Sequence, residues 1–441
     1  MGYPGHPPND PAVDTPPPVM LPQPTRRRLR ACHACDLVVA LPALRPNERA
    51  DCPRCGHRLA RRHRLPVQRG LALAIAALIG LLLAVAFPFV SFQTRGVGNH
   101  IVLTDSAKSL IGFGEPLVAL SVLLTVVVLP AVYLLSIIWL NTSLLRAKPL
   151  RGSRTIARAT ERMTPWMMAD VFVVGALVSL IKIAGLAQIG VGPGFWCFCA
   201  FAILLLKTSQ SIDADWLWFA LAGEPRAPAG TRVGEAAAVQ ALTGCSVCGL
   251  INSLKGAQPT CRRCGERLHG RHPHSLQRTS ALLIVAAILY VPANVYPIMT
   301  TTTFGVSEPS TIIGGVVYFV HHGDLPIALI IFTASVLVPI SKVLALGWLS
   351  LSVRRRLPRD RRARLRLYHV VELVGRWSML DVFVVAILVA LLQAGALLSI
   401  TPGPAALAFA GVVIISMLAA MSFDPRLIWD GAQGRRARGE G

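Results

Sequence analysis

Acidic residues are scarce in this chain. There are 22 Asp and Glu among 441 residues, against 44 Lys and Arg, and charged residues of both signs reach only 15% while 53% are hydrophobic. Soluble domains usually carry about 25% charge, so the composition excludes an ordinary soluble fold. The signatures of common catalysts are missing too: there is no Walker loop, dinucleotide-binding glycine fingerprint, nucleophile elbow or His-Glu-x-x-His motif. The chain therefore does not read as an enzyme. The opening MGYPGHPPNDPAVDTPPPVMLPQPT lacks the apolar stretch and cleavage site of a secretory signal, so residues 1–25 read as a disordered Pro-rich tail.

What the chain has in abundance is long apolar runs. Crossing about 30 Å of hydrocarbon takes roughly 20 helical residues. Eight runs qualify, near 71–91, 117–140, 167–187, 196–215, 280–300, 326–350, 378–399 and 405–422. The expected fold is an all-α polytopic membrane protein.

The formal charge of +22 raises the question of nucleic acid, which the placement of Lys and Arg answers. Basic residues cluster beside the ends of the apolar runs, in 142–166 and in the run RRRLPRDRRARLR of 352–377, whereas 301–325 has none. That asymmetry is a positive-inside pattern. It puts both termini, both Cys-rich segments and the two Arg-rich loops in the cytoplasm, and assigns the basic excess to topology and lipid headgroups rather than to nucleic acid.

The chain is also a tandem repeat. Cys52, Cys55, Arg69, Pro88, Pro130 and Trp139 recur at one constant offset as Cys261, Cys264, Arg278, Pro297, Pro339 and Trp348. After a short insertion in the Arg-rich loop, Trp166, Asp170, Pro193 and Asp213 recur as Trp377, Asp381, Pro404 and Asp424, and DVFVV repeats letter for letter. Each half is a Cys-rich knuckle followed by four spans, so the halves are parallel repeats. The expected segments are a first zinc ribbon at 26–66, a membrane domain at 67–222, a linker at 223–238, a second ribbon at 239–275, a membrane domain at 276–430 and a basic tail at 431–441.

Each knuckle holds two Cys-x-x-Cys pairs: Cys32, Cys35, Cys52 and Cys55 in the first, Cys245, Cys248, Cys261 and Cys264 in the second. Paired turns of this kind bring four thiolates into the tetrahedron that Zn²⁺ accepts. Disulfides are the bland alternative and cytoplasmic placement disfavours them. Rubredoxin-like iron is the sharper rival, but the short gaps and missing aromatic packing speak against it. With four ligands each, both sites leave no position for catalytic water, and two structural Zn²⁺ are expected. Cys197 and Cys199 point apart on a helix and read as packing residues.

Ionisable residues inside spans are costly and become functional candidates. Lys342 follows Pro339 in VLVPISKVLALGWL, where the proline removes a backbone hydrogen bond and a kink would open a polar cavity. Lys182 lies about a turn and a half from Gln188, with snorkelling to the interface as its alternative. Asp170 and Asp381 suit helix N-termini. The stretches GVGPG and ITPGP read as tight outer turns, with Thr401 facing a cavity. His321 and His322 read as a loop pair.

A repeated unit of knuckle plus four spans, with PISK in one span and the turn IGVGPG, resembles the paraquat-inducible protein A family from about residue 30 to 430. That resemblance implies a bacterial inner-membrane protein working beside a mammalian-cell-entry (MCE) domain protein, which forms a tunnel across the periplasm, to move lipids between the inner and outer membranes. Lys182 and Lys342 match the family's intramembrane lysines by local context. Where relatives carry an acid before the turn, this chain has Gln188. The alternative from another class is a membrane-anchored zinc-ribbon scaffold or stress sensor without transport activity.

Overall fold

The computed structural model describes residues 28–94, 97–103, 105, 116–146, 152–184, 188–255, 259–303, 306–323, 325–355, 360–380, 383, 384, 386, 387 and 398–430. Seven helices among these residues are long and apolar enough to cross a membrane: Pro66–Ala86, Ala119–Leu145, Ser153–Leu180, Pro193–Ser211, Ser275–Val295, Ala328–Arg354 and Pro404–Ser422. The run expected at 378–399 lies mostly outside the described residues.

Several helices end earlier than hydropathy alone suggests. Pro66–Ala86 stops before Pro88, and the apolar residues that follow turn into the strand Val90–Thr94. Ser275–Val295 likewise gives way to the strand Met299–Thr303. An apolar run cannot by itself be assigned to helix or strand. The tight turns expected at GVGPG and ITPGP are instead strands. Gln188–Val191 pairs with Val90–Thr94, whose other edge takes Val97–Ile101. Leu398–Pro402 pairs with Met299–Thr303, whose other edge takes Val306–Ser310. Each half thus carries a three-stranded antiparallel sheet at the end of its bundle away from the cysteines.

Glycine is required where strand passes to helix. A Cβ at Gly192 would collide with the carbonyl oxygen of Pro88, and one at Gly403 with that of Pro297. The backbone needs this approach to bond there: Gly194 N–H donates to Pro88 O at 3.0 Å and Ala405 N–H to Pro297 O at 3.3 Å. In this way the last helix of each half is pinned to the end of the first, and these two helices pack side by side along buried small residues such as Ala74, Ala77 and Ala84.

The two repeat-matched spans with Pro130 and Pro339 each contain a π-helical turn, Leu124–Val128 before Pro130 and Thr333–Leu337 before Pro339. Proline cannot donate to the carbonyl four residues back, and a wider turn absorbs the lost rung. The halves meet where DVFVV repeats. Phe172 packs on Phe383 with ring centroids 5.4 Å apart, Gly175 faces the Phe383 Cβ, and Ser179 Oγ donates to Val384 O at 3.3 Å. Contact between equivalent residues places them on a pseudo-twofold axis between the halves.

The Arg-rich loops are not loops throughout. Ser153–Met163 and Arg361–Trp377 are amphipathic helices, and each docks on a cysteine ribbon. The ribbons are crossed. Cys32, Cys35 and Cys52 share an apolar cluster with Leu346, Leu365, Tyr368, Phe423 and Trp429 of the second half. Cys245, Cys248, Cys261 and Cys264 cluster with Leu140, Ala157, Trp216 and Trp218 of the first. The cysteine side of each ribbon therefore packs on the other half's bundle, and the first ribbon pairs with the second through the bridge Arg30↔Leu250 and with the linker through Leu37↔Ala236.

Candidate metal centres and the Lys342 cavity

In the first ribbon the strands Arg28–Ala31 and Val38–Leu41 form a hairpin whose turn carries Cys32 and Cys35, and Arg49–Asp51 with Arg58–Arg61 does the same for Cys52 and Cys55. Gly56, Gly249 and Gly265 follow their Cys-x-x-Cys pairs with φ of +75°, +71° and +76°, the left-handed conformation that closes each knuckle. The four thiols of each set lie within 4.8 Å of one another. Neighbouring sulfurs stand 3.4–3.6 Å apart. A tetrahedral site with bonds of about 2.3 Å needs roughly 3.8 Å between sulfurs, so both sets fit a four-thiolate metal ion. Contact with Cys32 holds Cys52 below the ordinary thiol range and pushes Cys35 above it. Cys245 does the same to Cys261 and Cys248. Crowded thiols of this kind share charge poorly until a cation accepts it.

The crossing is fixed by charge and ring contacts. Arg54 lies 4.4 Å over the Trp429 ring, its carbonyl accepts from Arg362 Nε at 3.0 Å, and His57 stacks on His369 at 5.9 Å. On the other side Glu266 takes Arg162 at 2.6 Å. Other contacts hold each ribbon to its own half as well: Arg28 and Arg30 bind Asp215 at 2.5 and 2.8 Å, and Glu224 bridges Arg30 to Arg263 of the second ribbon at 2.6 and 3.3 Å. Burial pushes Asp215 up, but Arg30 and Arg28 outweigh it and hold the carboxyl below its ordinary range. Arg271 ties Asp36 of the first ribbon to Asp430 at 3.0 and 2.7 Å.

Lys342 sits on the helix Val338–Arg354 of the second half, 1% exposed, and its Nζ has no hydrogen-bond partner among the described residues. It lines a cavity of about 370 Å³ with Thr164 of the first half and Tyr368, His369, Glu372 and Gly375 of the second. Gly375 makes the seat: a Cβ there would stand 3.0 Å from Nζ and 3.2 Å from Cε. Glu372 does not neutralise the lysine, since its nearest basic partner among the described residues is His369 Nδ1 at 3.5 Å and its side chain is 60% exposed.

The other sequence candidates lie elsewhere. Thr401 is in the far-end sheet, paired with Thr300, whose carbonyl its Oγ1 meets at 3.5 Å. It does not line the Lys342 cavity. Lys182 is on the helix Ala169–Ala184 and Gln188 opens the strand Gln188–Val191; their side chains lie outside the described residues. Asp170 falls in a helix first turn, and Asp381 is outside the described residues. Cys197 and Cys199 pack against the membrane core. His322 Nδ1 lies 2.9 Å from Tyr318 O. Sequence reading passed over Gly375, His57 and His369, and only the amphipathic spacing of LRLYHVVELVG signalled the helix that carries two of them.

The paraquat-inducible protein A family profile matches residues 67–222 and 276–433. Intermembrane transport protein PqiA of Escherichia coli K12 is 42% identical over 402 residues, covering 90% of this chain and 95% of that protein. Lipophilic envelope-spanning tunnel protein A of the same organism is 30% identical over 409 residues, covering 92% of each. A probable intermembrane transport protein of Haemophilus influenzae is 30% identical over 410 residues, covering 91% and 96%. No solved structure matches the chain.

Proposed function

Because the chain belongs to the paraquat-inducible protein A family, we propose that it is the inner-membrane component of a lipid-transport system, which exchanges lipid with an MCE-domain partner spanning the periplasm. One observation carries the reading. A buried lysine without a partner among the described residues lines a cavity inside a membrane protein whose relatives are named for intermembrane transport. An unpaired ammonium at membrane depth costs about 2.5–3.5 kcal/mol even on lenient scales, and a lipid headgroup passing through would offset that cost. The alternative scaffold or stress sensor needs only close-packed bundles.

Both ribbons are taken as zinc sites on the cytoplasmic face, with both termini, and the zinc as structural: it would be held by Cys32, Cys35, Cys52 and Cys55, and by Cys245, Cys248, Cys261 and Cys264. A thiolate-bound Zn²⁺ stabilises a fold too small to have a core of its own. The substrate path runs past Lys342. Thr401, Lys182 and Gln188 stand as candidates for its far-end portion.

Lipid analysis of protein purified in mild detergent tests the reading. Lipid bound in stoichiometric amount and lost on loosening the cavity supports transport; a lipid-free, fully functional protein favours the scaffold.

A further inference from the structure

The Lys342 cavity is not alone on the seam between the halves. A second cavity of about 540 Å³ adjoins it, with Met417 on the walls of both. Its lining comes from Thr125, Met163, Trp166 and Met168 of the first half and Met379 and Ile414 of the second. The chain has 9 methionines, and Met163, Met168, Met379, Met417 and Met421 stand in these two walls. Methionine is unbranched and adapts to a flexible apolar occupant. The π-helical turn Leu124–Val128 borders the same space through Leu124 and Thr125. Such turns are frequent at functional sites, and Thr125 keeps its hydroxyl out of the cavity's hydrogen bonding by donating to Ser121 O at 2.7 Å.

Among the described residues, the charges around the pair of cavities leave one cation over. Arg162 is taken by Glu266, and His369 faces Glu372. Tyr368 directs its hydroxyl to Ala420 O at 3.4 Å. Lys342 has no partner among the described residues.

We infer that the two cavities connect past Met417 and hold one amphiphile, an acyl chain bearing an anionic phosphate or carboxylate head, with the head at Lys342 and the chain in the methionine-lined space between the halves. This rests on the transport reading for its purpose but not for its test. Trp166 supplies the probe, because it lines only the acyl portion. Purified full-length protein in detergent is titrated with phosphatidylglycerol or phosphatidylcholine carrying brominated acyl chains, and the Trp166 signal is taken as the difference from Trp166→Phe.

The expected result is quenching by phosphatidylglycerol at about tenfold lower concentration than by phosphatidylcholine, a preference of about 1.4 kcal/mol. Lys342→Met should abolish that preference, and Met417→Trp, which fills the junction, should abolish the quenching while metal content stays unchanged. Competition by palmitate would assign the site to a free acid, and failure to compete would assign it to a phospholipid. Equal quenching by both lipids, or none that depends on Trp166, overturns the inference. Anionic lipid bound as described, with full envelope function in Lys342→Met, would leave the inference standing and remove the transport reading. No binding together with lost envelope function would do the opposite.

Discussion

Phe172 and Phe383 hold equivalent positions in the two halves, and their rings meet edge to face, 5.4 Å apart at 69°. A repeat can place its copies anywhere along a chain. Only a pseudo-twofold arrangement brings a residue against its own counterpart. The repeated DVFVV is thus the joint of the molecule, and Gly175 on one side against the Phe383 Cβ makes that joint unequal.

In the membrane, helix association draws little on the hydrophobic effect and relies on packing. The pair should therefore show in a double-mutant cycle. Phe172→Ala and Phe383→Ala are each expected to destabilise the protein, and the double variant by less than their sum, with a coupling of about 0.5–1.5 kcal/mol. Denaturation in mixed micelles measures it; additive effects would mean that the rings do not meet.

The crossed ribbons predict where a ribbon's contacts lie. With the halves expressed as two separate chains, His57→Cys in the first should be cross-linked by a short bifunctional reagent to His369→Cys in the second, since the native rings stack at 5.9 Å. The same probe at residue 57 paired with Arg158→Cys should give no product, because Arg158 lies against Glu266 of the other ribbon. The reverse outcome would restore each ribbon to its own bundle.

Metal analysis of the intact chain should give about two zinc per molecule, falling to about one in Cys52→Ser or in Cys261→Ser. The two losses should differ in effect. Without its first-ribbon metal the helix Arg361–Trp377 loses its support and should exchange amide hydrogens faster, whereas the second-ribbon loss should free Ser153–Met163. Exchange rising in the helix of the same half as the altered ribbon would contradict the crossing, and visible thiolate-to-iron absorption would change the metal.

Sequence and structure agree on what short-range pattern can encode. Two Cys-x-x-Cys pairs fix a knuckle from local spacing, and a matched pair of halves announces itself by repetition. The crossing is invisible in sequence because Arg54, Trp429 and Arg362 meet only through long-range packing. The outer strands were hidden because Gln188–Val191 is short and apolar and its partner, Val90–Thr94, is remote. Lys342 was legible as a charge within an apolar run, while Gly375 was one glycine among 36 until its neighbour was known. Thr401 shares the second half with the lysine, but strand pairing sets it in the far-end sheet and outside the lining of the Lys342 cavity.

Gly375→Ala separates helix propensity from cavity geometry. Inside a helix the change usually stabilises by about 1 kcal/mol. Here the new methyl would press on the Lys342 side chain, 3.0 Å from Nζ. The methyl meets only the flexible tip of the lysine, which has cavity beside it, so the variant is expected to keep its metal and its stability while displacing Nζ and losing envelope function. Full envelope function in Gly375→Ala would show that the seat of the lysine against this helix does not matter.

Lys342 carries the sharpest test, because the repeat supplies its own control. Pro130 and Pro339 are equivalent and each follows a π-helical turn, yet the residue three positions on is Tyr133 in the first half and Lys342 in the second, both buried. A charge kept in one of two similar bundles, with no partner among the described residues and at a cost of several kcal/mol, is hard to account for by packing. Lys342→Met keeps the length and apolar volume while deleting the charge. It should relieve the buried ammonium, so membrane level and zinc content should be normal or higher. Outer-membrane barrier function should be lost in a strain without redundant routes, while Tyr133→Phe in the equivalent position leaves it intact. If Lys342→Met supports a full barrier, or merely fails to accumulate, the lysine is no part of the substrate path and the close-packed scaffold becomes the better reading.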